Sequence, residues 1–231
     1  MAMAALAAAL AGAIAMAQDD YAARRAAMVD ALVADEIITD ARLIDAMRAV
    51  PRHEFVPQGQ IGAAYDDAAL PIGDGRMVIA PGYVGLMVEA LAVRPTDRVL
   101  EVGIGVGYEA AVLSRLARHV YSLESVEALA VAARARLQAL DYSNVTIRQG
   151  DGFTGWPEQA PFDRIIVKSA PTEIPPALID QLADSGLMVI PLAEDGWAQK
   201  LYLVRKNGDA LERTELADVI FAPMGTPSNG E

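Results

Sequence analysis

Two different periods run through the chain. From Asp20 to about Ala49 the apolar residues Tyr21, Met28, Leu32 and Val33 recur at helical spacing, so one face of a helix is set to be buried. Thr39-Asp40 supplies a side-chain cap for a second helix carrying Leu43, Ile44 and Met47, and Pro51 stops it. Residues 51–81 show little periodicity: Pro51, Pro57, Pro71 and Pro81 alternate with Gly59, Gly62, Gly73 and Gly75. A loop-rich stretch of that length inside a compact domain is usually either functional or disordered. Its apolar content (Phe55, Val56, Tyr65, Leu70, Ile72) favours an ordered, functional one.

From Pro81 onward, short apolar runs alternate with helical stretches. The pattern predicts a helix over 82–92, strand 98–102, helix 107–118, strand 119–124, helix 126–140 and strand 145–149. Strand 163–168, a helix near 175–184 and strand 186–192 follow, then strands near 200–205 and 216–222. Such alternation implies right-handed crossovers and a parallel sheet with helices on both faces. Only the turn signal Lys206-Asn-Gly-Asp209 separates the last two strands, which predicts a C-terminal antiparallel hairpin. The expected fold is α/β, a mostly parallel sheet of seven strands with an N-terminal helical cap, forming one domain over residues 19–225.

One stretch of this pattern carries chemistry. In Val99-Leu-Glu-Val-Gly-Ile-Gly-Val-Gly-Tyr108 an apolar strand runs through the acid Glu101 into glycines at alternate positions, Gly103, Gly105 and Gly107. Glycine lets the backbone turn sharply and lets a ligand lie against it, and the helix that follows aims its free N–H groups into the same crevice. Tyr108 stands where the last glycine of a dinucleotide-binding GxGxxG would be. An acid two residues before the first glycine suits a cationic or hydroxyl-rich ligand better than a pyrophosphate. S-adenosylmethionine, with an ammonium and a ribose, fits; so does a tight turn that binds nothing.

The other strand ends narrow that choice. Ligands of such sheets bind outside the carboxyl ends of the strands. Glu124 ends the second strand, about twenty residues beyond the glycines, where an acid usually grips ribose hydroxyls. Asp151-Gly152 follows the third, where an acid can accept from an adenine amino group, and Lys168-Ser169 ends the fourth. Each acid alone is an ordinary solvated carboxylate; three at successive strand ends beside a glycine turn make one constellation.

Composition excludes several classes. With 19 basic against 31 acidic residues the net charge is −12, which argues against a nucleic-acid partner, because backbone binding needs Lys/Arg clusters. Cysteine is absent and only His53 and His119 are present, so disulfides, thiolate nucleophiles and Cys- or His-rich metal sites are out of reach. An apolar content of 53% suffices for a full core. Residues 1–17 are nearly all Ala, Met, Leu, Ile and Gly and end Ala15-Met16-Ala17, like a secretory signal with a small-x-small cleavage site. The segment lacks a leading basic residue and is too short for a comfortable membrane span. It reads equally as an Ala-rich extension over residues 1–18, disordered or packed on the surface. S-adenosylmethionine is made and kept in the cytosol, so the cofactor points to the cytoplasm and the leader to export. The expected protein is a monomer.

Across roughly residues 20–224 the chain resembles the protein-L-isoaspartate O-methyltransferase family. The resemblance rests on Val50-Pro-Arg-His-Glu-Phe-Val-Pro57, Tyr65-Asp-Asp, Leu70-Pro-Ile-Gly73, Val99-Leu-Glu-Val-Gly103 with Gly105 and Gly107-Tyr108, Asn144-Val-Thr with Gly150-Asp-Gly152, Trp156-Pro157, Pro161-Phe-Asp163 and Glu173-Ile-Pro-Pro-Ala-Leu178. It implies a Rossmann-like methyltransferase fold, S-adenosylmethionine as donor, and a damaged aspartyl carboxylate in a protein or peptide as acceptor. It also implies cofactor contacts at Glu101, Gly103, Gly105, Glu124, Asp151 and Gly152.

The departures lie on the acceptor side. Where the family runs Gln-Thr-Ile-Ser-x-Pro, with Thr and Ser hydroxyls facing the acceptor, this chain has Arg76-Met77-Val78-Ile79-Ala80-Pro81. Met77 and Ile79 therefore stand where the hydroxyls are lost. Lys168 stands where a small or hydroxyl residue is usual, and Ile104 and Val106 where Thr and Ser are common. Each hydrogen bond lost to a charged group is worth roughly 1.5–3 kcal/mol, so losing both slows transfer on the order of a hundredfold unless Arg76 or Lys168 takes over. The bland alternative pairs Lys168 with a nearby acid and leaves Arg76 solvated. Two functions stay open: a carboxylate methyltransferase acting on isoaspartyl or another acceptor, and a non-catalytic relative that binds cofactor or peptide. A dehydrogenase is set back by Tyr108.

Overall fold

A computed structural model of the chain describes residues 20–73, 76–194 and 198–225. Helix α1 (20–34) and α2 (Ala41–Ala49) form the N-terminal cap. Asp40 caps α2, its carboxylate accepting from the Arg42 N–H at 2.7 Å. The signal-like segment 1–17 lies outside the described residues. Among those described, no helix is long and apolar enough to cross a membrane.

The central sheet has seven strands in the order β5-β4-β3-β6-β7-β8-β9. They are β3 (Arg98–Val102), β4 (His119–Glu124), β5 (Val145–Gln149), β6 (Phe162–Val167), β7 (Leu182–Ala193), β8 (Gln199–Asn207) and β9 (Ala210–Asp218). The first five are parallel neighbours, whereas β7–β8 and β8–β9 are antiparallel. From β3 the chain winds outward through β4 and β5, then returns to β3's other side as β6. The winding reverses there, so a crevice opens between the carboxyl ends of β3 and β6.

Strand alternation decides which residues meet. Val99, Ile166, Leu187 and Val189 pack into the larger core, under the helices α3 (Pro81–Leu91), α4 (Tyr108–Ser114) and α5 (Glu127–Ala139). Leu100, Val102, Ile165, Val167, Met188 and Ile190 pack on the opposite face, where α6 (Pro176–Gln181) places Leu178. Glu101 shares the face of Val99. It is in register with Ser122 of β4 and Ile166 of β6, and Lys168 lies two residues beyond Ile166. The pleat therefore sends Glu101, Ser122 and Lys168 to one face, beneath α4.

Several elements differ from the sequence pattern. The stretch 51–81 is ordered and contains a small hairpin, β1 (Leu70–Gly73) with β2 (Arg76–Val78), too short and too rich in Pro and Gly to show a period. The last strand covers Ala210–Asp218 rather than 216–222. A turn at Gly208-Asp209 fixes Asn207 opposite Ala210, and this edge strand is mostly exposed, so its polar residues give no apolar signal. Residues 219–225, apolar enough to imitate a strand, instead cross the end of β6, where Ala170 bridges Pro223 and donates to the Ala222 carbonyl at 2.9 Å. The helix expected over 107–118 ends at Ser114, and the one near 175–184 ends at Gln181, because β7 starts at Leu182.

Candidate active site

At the strand-switch point lies a cleft of about 960 Å³, lined by the glycine turn, the ends of β4 and β5, the hairpin residues Arg76–Ile79 and the C-terminal crossing segment. That is the upper end of the roughly 300–1,000 Å³ usual for a small-molecule site, and leaves room for two reactants.

One wall of the cleft is built by the glycine turn. Gly103 and Ile104 both donate to the Leu123 carbonyl at 2.8 and 3.0 Å, which folds the turn back over β4. Gly103, Gly105 and Gly107 take φ of 93°, 56° and 91°, values that a Cβ disfavours. Glu124, 4% exposed, closes the wall. One of its oxygens accepts from the Gly105 N–H at 3.0 Å; the other accepts from the Val126 N–H at 3.1 Å and lies 3.4 Å from Arg76 Nη1. Asp151 accepts from the Phe153 N–H at 2.9 Å. Beside it Gly152 presses so close to β3 that a Cβ would lie 2.6 Å from Val102 Cγ1. A buried acid beside a bare glycine backbone makes a surface that suits a ribose and an adenine.

The wall that carries the hairpin is different. Met77 is 48% exposed at the mouth and Ile79 is half-buried, and neither side chain offers a donor. Both cations singled out in the sequence are engaged with acids. Lys168 Nζ donates to Glu101 Oε1 at 2.6 Å and to the Ile104 carbonyl at 3.3 Å, and Arg76 faces Glu124. Burial pulls the Lys168 ammonium down, but Glu101, Glu109 and Glu124 together carry its pKa above the usual lysine value.

Gly103, Gly105, Glu124, Asp151, Gly152, Met77, Ile79 and Lys168 all line the cleft. Glu101 and Gly107 stand behind it. Glu101 is fully buried and accepts from Ser122 Oγ and Lys168 Nζ, both at 2.6 Å, so it acts on the cleft through Lys168. Gly107 packs toward Leu137 of α5.

Two cleft residues escaped the sequence reading. Arg52 is fully buried; its Nε donates to the Ala64 carbonyl at 2.9 Å, its Nη2 to the Ile79 carbonyl at 2.7 Å, and its guanidinium lies 4.7 Å from the Tyr108 ring centroid. It clamps the hairpin wall to the loop after α2. Its only sequence signal is its place in Val50-Pro-Arg-His. Glu109 sits in the first turn of α4, directly after the glycine turn, and is 2% exposed.

Known proteins resemble the chain over most of its length. The profile of the Protein-L-isoaspartate(D-aspartate) O-methyltransferase family covers residues 23–229. The chain is 51% identical over 205 residues to the protein-L-isoaspartate O-methyltransferase of Roseiflexus sp. (strain RS-1), a match spanning 89% of this chain and 93% of that one. It is 49% identical over 205 residues to the protein of the same name from Methylorubrum extorquens (strain PA1), spanning 89% and 90%. A solved protein-L-isoaspartate O-methyltransferase superposes with a TM-score of 0.80 at 27% identity, over 87% of this chain and 66% of that one. A Plasmodium falciparum structure in complex with S-adenosyl-L-homocysteine superposes at 0.77, over 87% and 98%; at 24% identity it speaks to the fold. The chain belongs to the protein-L-isoaspartate(D-aspartate) O-methyltransferase family.

Proposed function

We propose that this protein transfers a methyl group from S-adenosylmethionine to the side-chain carboxylate of L-isoaspartyl residues in damaged proteins or peptides. The donor wall carries this reading: buried Glu124, braced by the Gly105 N–H, beside the close-packed Gly152 at the strand-switch point. The donor supplies an electrophilic methyl on a sulfonium, so the S–C bond breaks as an O–C bond forms, and its electrons leave with sulfur. A carboxylate is already a sufficient nucleophile at neutral pH, so no side chain has to take a proton. The protein's task is to hold the reacting atoms about 3–3.5 Å apart and in line. Glu124, Asp151 and Gly152 would fix the donor; the hairpin wall of Met77 and Ile79, braced by Arg52, would shape the acceptor's side.

The same wall favours a second reading of the acceptor. An apolar lip formed by Met77 and by Ile220, 92% exposed, fits a carboxylate carried next to apolar groups, with isoaspartyl as a poor case of it. The double variant Met77→Thr/Ile79→Ser separates the two. If isoaspartyl is the acceptor and is held without hydroxyls, restoring them raises turnover of an isoaspartyl peptide about tenfold or more. If neither form methylates it, the isoaspartyl reading fails, and a non-catalytic relative is left if the donor still binds.

Among the described residues, three exposed large hydrophobics, Met77, Tyr83 and Ile220, lie at or beside the cleft, and Val33 and Val131 stand singly. That distribution supports a monomer, which a second-order oligomer mass by light scattering would refute. The cytosolic supply of the donor supports a cytoplasmic location. Native protein that begins at Gln18 by mass spectrometry would overturn it in favour of export.

A further inference from the structure

Glu109 has no part in the transfer described above, yet it costs the fold a great deal. It lines the cleft from the first turn of α4, it is 2% exposed, and neither carboxylate oxygen has a hydrogen-bond partner among the described residues. A buried carboxylate without donors is expensive. Its charged surroundings are few. Glu101 from β3 and Lys168 from β6 act on it directly; Glu124 from β4 acts on Lys168, and Arg52 is stacked on the neighbouring Tyr108. Lys168 is bonded to Glu101, so two buried acids share one ammonium. With both acids ionised the group is one positive charge short, at the wall of the cleft.

The methyl donor brings that charge and its product does not. S-adenosylmethionine and S-adenosylhomocysteine have the same adenosine, ammonium and carboxylate; they differ by a methyl group and the sulfonium charge. We propose that Glu109 is a specificity residue that makes the cleft prefer the charged methyl donor over its uncharged product, and so limits product inhibition. This rests on the reading that the cleft binds the donor. The preference is adjustable. Burial raises the Glu109 carboxyl to about 7, with Lys168 opposing and Glu101 adding to the rise. Below that pH the group is neutral and the discrimination fades; above it the discrimination is full. A bound sulfonium stabilises the ionised form, so donor binding near neutrality expels a proton and product binding does not.

The test is calorimetric titration of the full chain and of Glu109→Gln with each ligand from about pH 5.5 to 8.5, in buffers of different ionisation enthalpy. For the wild type, the ratio of product Kd to donor Kd should rise about tenfold across that range, the order expected of two unit charges several ångströms apart. Donor binding near pH 7 should release a fraction of a proton. Glu109→Gln should show a low, pH-independent ratio and no proton release. Should that variant fail to fold, the wild-type proton release and pH profile decide alone. The proposal is overturned if both ligands bind with a pH-independent ratio and equal proton exchange, which leaves the donor-site reading standing. If neither ligand binds, that reading falls too.

Discussion

Replacing Lys168 with methionine removes the single cation shared by two buried acids, and its cost can be worked from the geometry. Nζ lies 2.6 Å from Glu101 Oε1, the two side chains are 11% and 0% exposed, and Glu101 keeps only the Ser122 hydroxyl as a further partner. Breaking one side of a buried ion pair costs about 3–5 kcal/mol, because the remaining charge is left uncompensated. For a chain of this size each kcal/mol moves the melting point by about 2–4 °C, so Lys168→Met should melt about 10 °C below the wild type at pH 8. The sign of the pH dependence follows. Without the ammonium, which holds it down, the Glu109 carboxyl rises further above its unfolded value. The folded state then holds extra protons, and stability is lost as pH increases. The deficit should be large at pH 8 and shrink toward pH 5, and Glu101→Gln/Lys168→Met should recover much of it. Urea unfolding of the three proteins at both pH values is the assay. A deficit under about 1 kcal/mol at pH 8, or one that grows on acidification, would refute the buried-cluster reasoning.

Glu124→Ala should weaken S-adenosylmethionine binding by about tenfold or more, since it removes both the acid facing the cleft and the acceptor of the Gly105 N–H; an unchanged Kd by calorimetry would contradict the donor wall. Glu109→Gln should flatten a stability profile that falls in the wild type as pH rises from about 4.5 to about 7. The raised carboxyl means the folded state binds the extra proton in that window, and the difference is on the order of 3 kcal/mol between its ends; parallel unfolding curves for the two proteins would sink it.

The wall built by the glycine turn was legible because it is local. A strand, a glycine turn and a helix are contiguous in Val99–Ala117, and Glu124 and Asp151 fall at strand ends that periodicity alone locates. The contacts made by Lys168 were not, because they are long-range. Nothing near Lys168 in sequence announces Glu101, sixty-seven residues away, and a strand pairing in register is what brings them together. Arg52 has the same character: its partners are backbone carbonyls at Ala64 and Ile79, which carry no sequence signal. The hairpin Leu70–Val78 escaped for a different reason, since strands of four and three residues are shorter than the period that would reveal them. The expected strand at 216–222 shows the converse error. Ile220 and Phe221 are apolar because they line the cleft and Val219 because it packs in the core, not because they pair in the sheet.

The central claim is that an intact donor wall here serves methyl transfer to an isoaspartyl carboxylate across an acceptor wall without hydroxyls. Its most direct test is incubation of the full chain with methyl-labelled S-adenosylmethionine and an isoaspartyl peptide, beside the otherwise identical aspartyl peptide. The account predicts base-labile label on the isoaspartyl peptide alone, formed slowly. Equal labelling of both peptides, or none on either while the donor binds, would contradict it.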